Sequence, residues 1–314
     1  MKKISYSSRS NILSSNGIAA TSHPLASLEA LSILKMGGNA IDAAVAASAV
    51  LSVVEPNASG IGGDCFAIIS SNGKNPISYN GSGIAPEKMN MNYFKKNNIN
   101  SIELESPNSV TVPGAVHAWS SIHSDLGKLE FENLFLKAID YAKNGYHVTE
   151  KVALSWKKNI SKLLKNKNSK RIFLKNGKNY NFLDKHKNEY LASTLQKISK
   201  RGVKGFYEGE VAIDIVNSLN EIGGLHSLED FYRQKTIKTS TINTNYKNLV
   251  LHQCPPNGPG ITVLVMMKMM EQFNLQNINP MSFERFHLEA EITKLAYKLR
   301  EENIADPNFF KIDF

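Results

Sequence analysis

The chain has 314 residues, which is enough for one large domain or two ordinary ones, and a formal net charge of +9. Its two cysteines are too few for a disulfide framework, so we expect Cys65 and Cys254 to be buried free thiols in a reducing compartment. No stretch approaches the length of a membrane span, and the first residues contain lysines without the apolar core of a secretory signal. We therefore expect a cytoplasmic protein that forms a single domain over residues 1–314.

A helix of small residues is the most informative local feature. It lies within residues 37–64, which read GGNAIDAAVAASAVLSVVEPNASGIGGD. Asn39 is placed to cap the helix, Asp42 lies in its first turn, and Pro56 marks its end. Alanines occur on every side and leave no polar stripe, so we predict a helix buried against a sheet or another helix.

Three glycines, Gly60, Gly62 and Gly63, follow this helix just before a predicted strand over 65–69. They would permit unusual backbone angles or the close approach of a ligand, or simply a tight connection. Their spacing matches neither the dinucleotide fingerprint nor the Walker loop, and no strand precedes them. We therefore do not expect phosphate binding here.

The remaining pattern predicts more helices than strands, with the strands in hairpins. The Asn72-Gly73 turn should join the strand over 65–69 to a second strand over 76–79. This order argues against a doubly wound parallel sheet and predicts an α+β protein. Further strands are predicted over 239–244 and 248–252, and helices over 25–35, 115–124, 129–143, 149–165, 191–199, 209–222, 261–273 and 283–303.

Nine lysines and arginines and no acidic residue occur between Lys157 and Lys178. Such a run is compatible with an electrostatic footprint for nucleic acid or anionic lipid, or with a solvated helix and loop. Asparagines rather than aromatic residues alternate with the charges, which favours the solvated alternative. We therefore predict no nucleic-acid partner and no membrane partner.

Several motifs follow one another along the chain. They are GIAATSHPLA, GGNAIDAAVAASAV, NGSGIAP, SVTVPGAVHAW, AIDYAKNGYHV, GVKGFYEGEVA, GGLHSLEDF, PPNGPGITVL and ADPNFF. Taken together and in this order, they resemble the γ-glutamyltranspeptidase family of N-terminal-nucleophile hydrolases, and the closest resemblance is to its acylase and amidohydrolase branch. The resemblance runs from about residue 17 to the last residue and implies an αββα sandwich of which this chain is the large-subunit part.

The resemblance implies hydrolysis or transfer of γ-glutamyl or related acyl amides by an N-terminal threonine formed through self-cleavage. That threonine would lie beyond Phe314, so the chain should contain no catalytic residue and should require a small-subunit segment as its partner. No cofactor is implied. Two alternatives are a non-catalytic remnant or assembly partner on the same scaffold and, with less support, a basic nucleic-acid-binding protein.

The candidate binding residues lie around Ser82. In glutathione-cleaving relatives an arginine occupies the position of Ser82, and in the acylase branch one occupies the position of Ile84, so neither carboxylate anchor is present. We predict that Ser82, Gly83 and Asp64 bind a small-molecule amide substrate, with local turn bonds as the alternative. Asn257 and Gly258 should face the missing half. The eight histidines show no metal-binding spacing, so no metal is predicted.

Overall fold

The computed structural model describes residues 10–310. Its contacts divide the chain into two compact units. Unit 1 contains the chain through Gly63, Ala85–Val112 and Trp119–Arg233, and unit 2 contains Asp64–Ile84, Pro113–Ala118 and the chain from Gln234 onward. Within residues 10–310, no helix combines the length and the hydrophobicity that crossing a bilayer requires. The single domain expected over residues 1–314 stays a prediction.

Helices dominate unit 1. Two short strands, β3 (Tyr146–His147) and β4 (Lys185–His186), pair antiparallel there. The helix α4 (Ala115–Leu126) has residues in both units. The other helices of unit 1 are α1 (Pro24–Lys35), α2 (Ala40–Val54), α3 (Met91–Lys96), α5 (Leu136–Asn144), α6 (Glu150–Leu164), α7 (Lys167–Phe173), α8 (Glu189–Arg201), α9 (Lys204–Tyr207), α10 (Glu210–Asn220) and α11 (Leu228–Arg233).

The predicted small-residue helix is α2, and Asn39 caps it as expected. The Asn39 side chain accepts hydrogen bonds from the backbone N–H groups of Ile41 and Asp42, and the Asp42 carboxylate accepts one from the Asn39 N–H in return. Most of the helix is buried against α1 and α5. The helix is thus buried against other helices, as predicted, although Ala40 and Ala44 are exposed.

Unit 2 is built from antiparallel hairpins and two packed helices. A three-stranded sheet has the order β1 (Cys65–Ile69), β2 (Ile77–Gly81), β5 (Ile237–Ser240). A separate ribbon pairs β6 (Ile242–Tyr246) with β7 (Leu249–Gln253). The helices α12 (Gly260–Met270) and α13 (Phe283–Asn303) pack on each other, and α12 also packs on both strands of the ribbon.

Two predicted elements differ from the structure. The strand expected over 239–244 is interrupted at Thr241, because β5 continues the first sheet whereas β6 turns to pair with β7. The helix expected over 129–143 begins as a 3-10 turn, Phe131–Phe135, before α5. Both breaks result from tertiary pairing and packing, which sequence periodicity does not encode.

The two cysteines are both free, as expected, but only Cys254 is buried. Cys65 is half-buried, because it begins the outer strand β1 of the three-stranded sheet. Burial raises the pKa of the Cys254 thiol, while a hydrogen bond involving Ser78 acts in the opposite direction. The expectation that both thiols are buried was therefore wrong for Cys65.

Candidate functional site

The candidate site is built around a contact between two backbone segments, which only glycines permit. Gly81 ends β2, and a Cβ built on it would overlap Ala118 and lie 2.8 Å from the carbonyl oxygen of Cys65. A Cβ on Gly114 would overlap the Gly81 carbonyl oxygen and lie 2.9 Å from the carbonyl carbon of Ser82. Two backbone segments therefore touch here without side chains between them, which fixes the chain at Ser82.

Ser82 belongs to a closed ring of polar side chains with Asn80 and Asn257. Its backbone N–H donates to Asn80 Oδ1 at 3.0 Å, and its hydroxyl oxygen accepts from Asn257 Nδ2 at 2.9 Å. Asn80 Nδ2 donates to Asn257 Oδ1 at 2.7 Å and closes the ring. Asn80 is buried, so this network holds Ser82 and the loop that contains Asn257 in a defined arrangement.

The three predicted site residues lie together. Gly83 donates its backbone N–H to the Asp64 carboxylate at 3.3 Å, and Gly83 follows Ser82 directly. Asp64 is exposed, and its second carboxylate oxygen accepts no hydrogen bond from the part of the chain that the structure describes. The grouping of Asp64, Ser82 and Gly83 agrees with the expectation, while their role in substrate binding stays a prediction.

Gln234 is a residue of the site that the sequence did not reveal. Its side-chain oxygen accepts the backbone N–H of Ile84 at 3.0 Å, and its side-chain nitrogen donates to the carbonyl oxygen of Ser82 at 3.1 Å. Gln234 is buried at 2% exposure, so this amide holds the turn from behind. A lone glutamine between a helix and a strand carries no sequence signal for such a role.

The loop Pro255–Gly260 packs on the outer strand of the sheet. A Cβ on Gly258 would lie 3.3 Å from the ring of Phe66, so the glycine lets the loop lie flat on that ring. Asn80 is the register partner of Phe66, and this pairing places Asn257 over the same part of the sheet. The prediction that Asn257 and Gly258 face a missing half of the protein is not tested by this packing.

His117 is the histidine closest in sequence to the Gly81–Gly114 contact. Its Nδ1 accepts the backbone N–H of Thr236 at 3.2 Å and also lies 2.9 Å from the hydroxyl oxygen of that residue. Burial lowers the pKa of His117, with a smaller opposing contribution from a backbone hydrogen bond. His117 therefore has a structural role in this unit. Within residues 10–310, no group of His, Cys, Asp and Glu side chains is arranged to hold a metal.

The hydrogen-bonded ring of Asn80, Ser82 and Asn257 is suited to binding a ligand and does not activate Ser82 as a nucleophile. The side-chain partner of the Ser82 hydroxyl is the Asn257 amide, which cannot accept a proton as a general base does. The neighbouring charge is the Asp64 carboxylate, and no lysine or arginine takes part in the hydrogen bonds that join Asp64, Asn80, Ser82, Gln234 and Asn257. The arrangement offers amide donors and acceptors and one carboxylate to a ligand.

Comparison with known proteins identifies the family of this chain. The sequence profile of gamma-glutamyltranspeptidase matches residues 26–314. The chain belongs to the gamma-glutamyltranspeptidase family. The resemblance drawn from its motifs is therefore confirmed over nearly the whole chain.

Two curated members of the gamma-glutamyltranspeptidase family illustrate the relationship. The glutathione hydrolase-like YwrD proenzyme of Bacillus subtilis is 31% identical over 304 residues, covering 96% of this chain and 58% of the relative. The capsule biosynthesis protein CapD proenzyme of Bacillus anthracis is 34% identical over 298 residues, covering 95% of this chain and 52% of the relative. The chain spans about half the length of the curated relatives that it matches.

Solved structures give the same fold. Helicobacter pylori gamma-glutamyltranspeptidase superposes with a TM-score of 0.90 at 30% identity, covering 96% of this chain and 88% of that one. Cephalosporin acylase from Bacillus halodurans superposes with a TM-score of 0.90 at 30% identity, covering all of this chain and 59% of that one. The predicted class is thus confirmed: an α+β, helix-rich large-subunit part of the N-terminal-nucleophile hydrolase fold.

Proposed function

We propose that this chain supplies the scaffold and the substrate-binding surface of an amide hydrolase or transferase that acts on γ-glutamyl or related acyl amides. The single observation that carries the proposal is the family match over residues 26–314, in a chain that superposes on Helicobacter pylori gamma-glutamyltranspeptidase. The glutathione hydrolase proenzyme of Escherichia coli is 30% identical to this chain over 304 residues, and its name supports the hydrolysis of such amides. No cofactor is needed for acyl transfer of this kind.

The nucleophile in this proposal is a threonine in a segment that follows Phe314 in the whole protein. Ser82 cannot replace it, because its hydroxyl is paired with an asparagine amide rather than with a base. The relatives support this division of labour, since three of them are named as proenzymes and are longer than the part that this chain matches. The chain alone is therefore proposed to be inactive.

An apolar groove in unit 2 is the proposed packing site of that segment. It has a volume of about 820 Å³ and lies between β6, α12 and α13. Apolar side chains from both helices line it, among them Ile261, Leu264 and Leu299. A groove of this size and character is expected where a further part of the same fold completes the core.

Ser82, Gly83 and Asp64 are proposed to contact the acyl part of the substrate. The ring with Asn80 and Asn257 supports this role, because it holds the Ser82 turn without consuming the second Asp64 oxygen. With Ser82 and Ile84 at the two arginine positions, we propose that the substrate is held by neutral hydrogen bonds rather than by a carboxylate–guanidinium pair. The free thiols support a cytoplasmic location.

The experiment is to read the coding DNA beyond the Phe314 codon and to express the whole reading frame. We expect mass spectrometry to show cleavage immediately before a threonine, and the processed protein to release p-nitroaniline from γ-glutamyl or neutral acyl p-nitroanilides. Substitution of that threonine by alanine is the matched control and should abolish both events.

A second candidate is a non-catalytic assembly partner, which the absence of both recognition arginines favours. A reading frame without a threonine-led segment, together with no hydrolysis by the purified protein, would leave this second candidate in place.

A further inference from the structure

One segment of unit 1 carries the whole net charge of the protein. Residues 146–190, here called the basic segment, contain 12 of the 37 basic residues and only 3 of the 28 acidic residues, a net charge of +9. The rest of the chain therefore has as many acidic as basic residues. A charge concentrated in this way acts on a partner at one place on the surface.

The basic segment is one packed piece. Its centre is His186, which is 2% exposed and is surrounded by the rings of Tyr146, Trp156, Phe173 and Tyr180 at centroid distances of 4.8–6.2 Å. These rings come from β3, α6, α7 and the loop before β4. The lysines of both helices and of the loop are therefore held together on one rigid substructure.

The acidic groups near the segment neutralise only some of its lysines. Within the segment, Asp184 lies 3.5 Å from Lys175 and Glu189 lies 2.6 Å from Lys187. From outside the segment, Glu105 pairs with Lys162 in α6 and with Lys165 at the C-cap of that helix. Glu221 pairs with Lys167, the first residue of α7. Glu150 is exposed at the start of α6. Among the described residues, no ion pair involves Lys157, Lys158, Lys170 or Lys178, which are all exposed.

Two large apolar side chains project from the loop before β4. Phe182 is 57% exposed and Leu183 is 62% exposed. Leu183 has a φ of +68°, a conformation that glycine or asparagine adopts at lower cost. The folded chain thus keeps a strained, exposed leucine beside an exposed phenylalanine, which burial in this unit does not explain.

Hydrogen bonds hold this loop in place. Leu183 donates its N–H to the Val148 carbonyl at 3.0 Å, and the Leu183 carbonyl lies 3.0 Å from His147 Nδ1. Asn181 donates its N–H to the Asp184 carboxylate at 2.8 Å. The pair of apolar side chains is therefore presented at a defined position of the basic segment, instead of on a freely moving loop.

We propose that the basic segment docks on an anionic phospholipid membrane surface. Phe182 and Leu183 enter the interface between headgroups and acyl chains, while the unpaired lysines meet the anionic headgroups. The aliphatic stems of the lysines can lie along the same apolar boundary. A nucleic acid or an acidic polypeptide would use the charges but would leave the apolar pair in water. The sequence predicts no membrane partner, but peripheral docking requires no membrane-spanning helix.

The test is sedimentation of the full chain with vesicles of phosphatidylcholine alone and of phosphatidylcholine with 30% phosphatidylglycerol, at low and high salt. We expect binding only to the anionic vesicles, and at least about tenfold weaker binding at 500 mM than at 50 mM NaCl, since the docking charges are screened. The double variant Phe182→Ser, Leu183→Gly should weaken binding about tenfold, because both apolar side chains leave the interface. Lys157→Glu with Lys158→Glu should weaken it at least as much.

The matched control is Met281→Ser with Phe283→Ser, which removes two apolar side chains in unit 2 that are each 78% exposed. It should bind like the unsubstituted chain, and circular dichroism should show all variants folded. Equal binding to neutral vesicles, or an unchanged affinity of the Phe182/Leu183 variant, would overturn the proposal. Tighter binding to a mixed-sequence DNA duplex than to anionic vesicles would replace the membrane with a nucleic-acid partner. None of these outcomes depends on the amide-hydrolase proposal.

Discussion

Gly114 lies directly against the carbonyl oxygen of Gly81, so that neither residue has room for a Cβ. We expect Gly114→Ala to lower the free energy of unfolding by about 2–3 kcal/mol, because backbone atoms cannot give way as a side chain can. Gly62→Ala is the matched control, since a Cβ there would meet no described atom within 4 Å. Urea denaturation of both variants measures the difference, and equal stabilities would contradict this close contact.

Asp42 links α2 to the chain after α4. Its carboxylate accepts the N–H groups of Asn39 at 2.9 Å and Lys128 at 3.0 Å, and it is fully buried. We expect Asp42→Ala to cost about 2–4 kcal/mol of unfolding free energy, since two or more buried N–H groups lose their acceptor. Asp214→Ala, at an exposed position in α10, should change stability by less than about 0.5 kcal/mol. Thermal melts of the two variants test the difference.

Protonation of His186 should destabilise the aromatic cluster. Burial lowers the pKa of His186, and a backbone hydrogen bond to Ile172 opposes this effect. The Nε2–H donates to that carbonyl at 3.1 Å, whereas Nδ1 has no partner among the described residues and cannot hold a second proton well. The unfolded chain therefore binds this proton more readily than the folded one.

The free energy of unfolding should consequently be level above about pH 6.5 and fall as the pH drops below it. His186→Phe should reduce this loss between pH 7.5 and pH 5, although His23, His117 and His226, whose pKa values are also lowered by burial, will preserve part of it. His287→Phe, at an exposed position, should leave the pH dependence unchanged. Guanidinium denaturation at the two pH values provides the measurement, and identical slopes for all three proteins would contradict the assignment.

Residue 84 should control recognition of substrate carboxylates in the processed whole protein. Ile84 is half-buried, and Gln234 fixes its backbone beside Ser82. We expect Ile84→Arg to lower the KM for a γ-glutamyl anilide about tenfold through a charge-assisted pair, and to leave the KM for a neutral acyl anilide unchanged. Ile84→Gln is the uncharged control. The same change for both substrates would show that residue 84 does not face the acyl group.

Residues 1–314 expressed alone should bind a hydrophobic dye strongly, because the groove of about 820 Å³ in unit 2 exposes apolar side chains. Leu299→Glu should reduce the dye fluorescence, since it places a charge in that groove. Leu104→Glu, at a side chain that is 92% exposed in unit 1, is the control and should have little effect. A dye-silent unsubstituted chain would contradict the proposal that this groove is uncovered.

Local chemistry made many elements predictable. Asn39 and Asp42 form the expected capping box, and the Asn72-Gly73 turn joins β1 to β2 as expected. The helix predicted over 283–303 has the bounds of α13. The strand predicted over 239–244 failed, because its two halves pair with different strands, and the choice of partner is a long-range event.

The candidate site shows the same division. The glycine-flanked turn identified Ser82 and Gly83, and the position after the glycine-rich stretch identified Asp64. Asn80 and Gln234 were not identified, because an asparagine in a strand and a glutamine before one carry no distinctive local signal. Their roles depend on partners such as Asn257, which lies 175 residues from Ser82.

The sequence by itself determined the family, the hairpin connections and the capped small-residue helix, since these depend on residue types at short spacing. It also determined that the net charge lies in one segment. Only the tertiary structure decided that Asp64 meets Gly83, that Ser82 meets Asn257, and that Phe182 and Leu183 stay exposed. Such contacts depend on strand pairing and packing between distant segments, whose free energies no local pattern records.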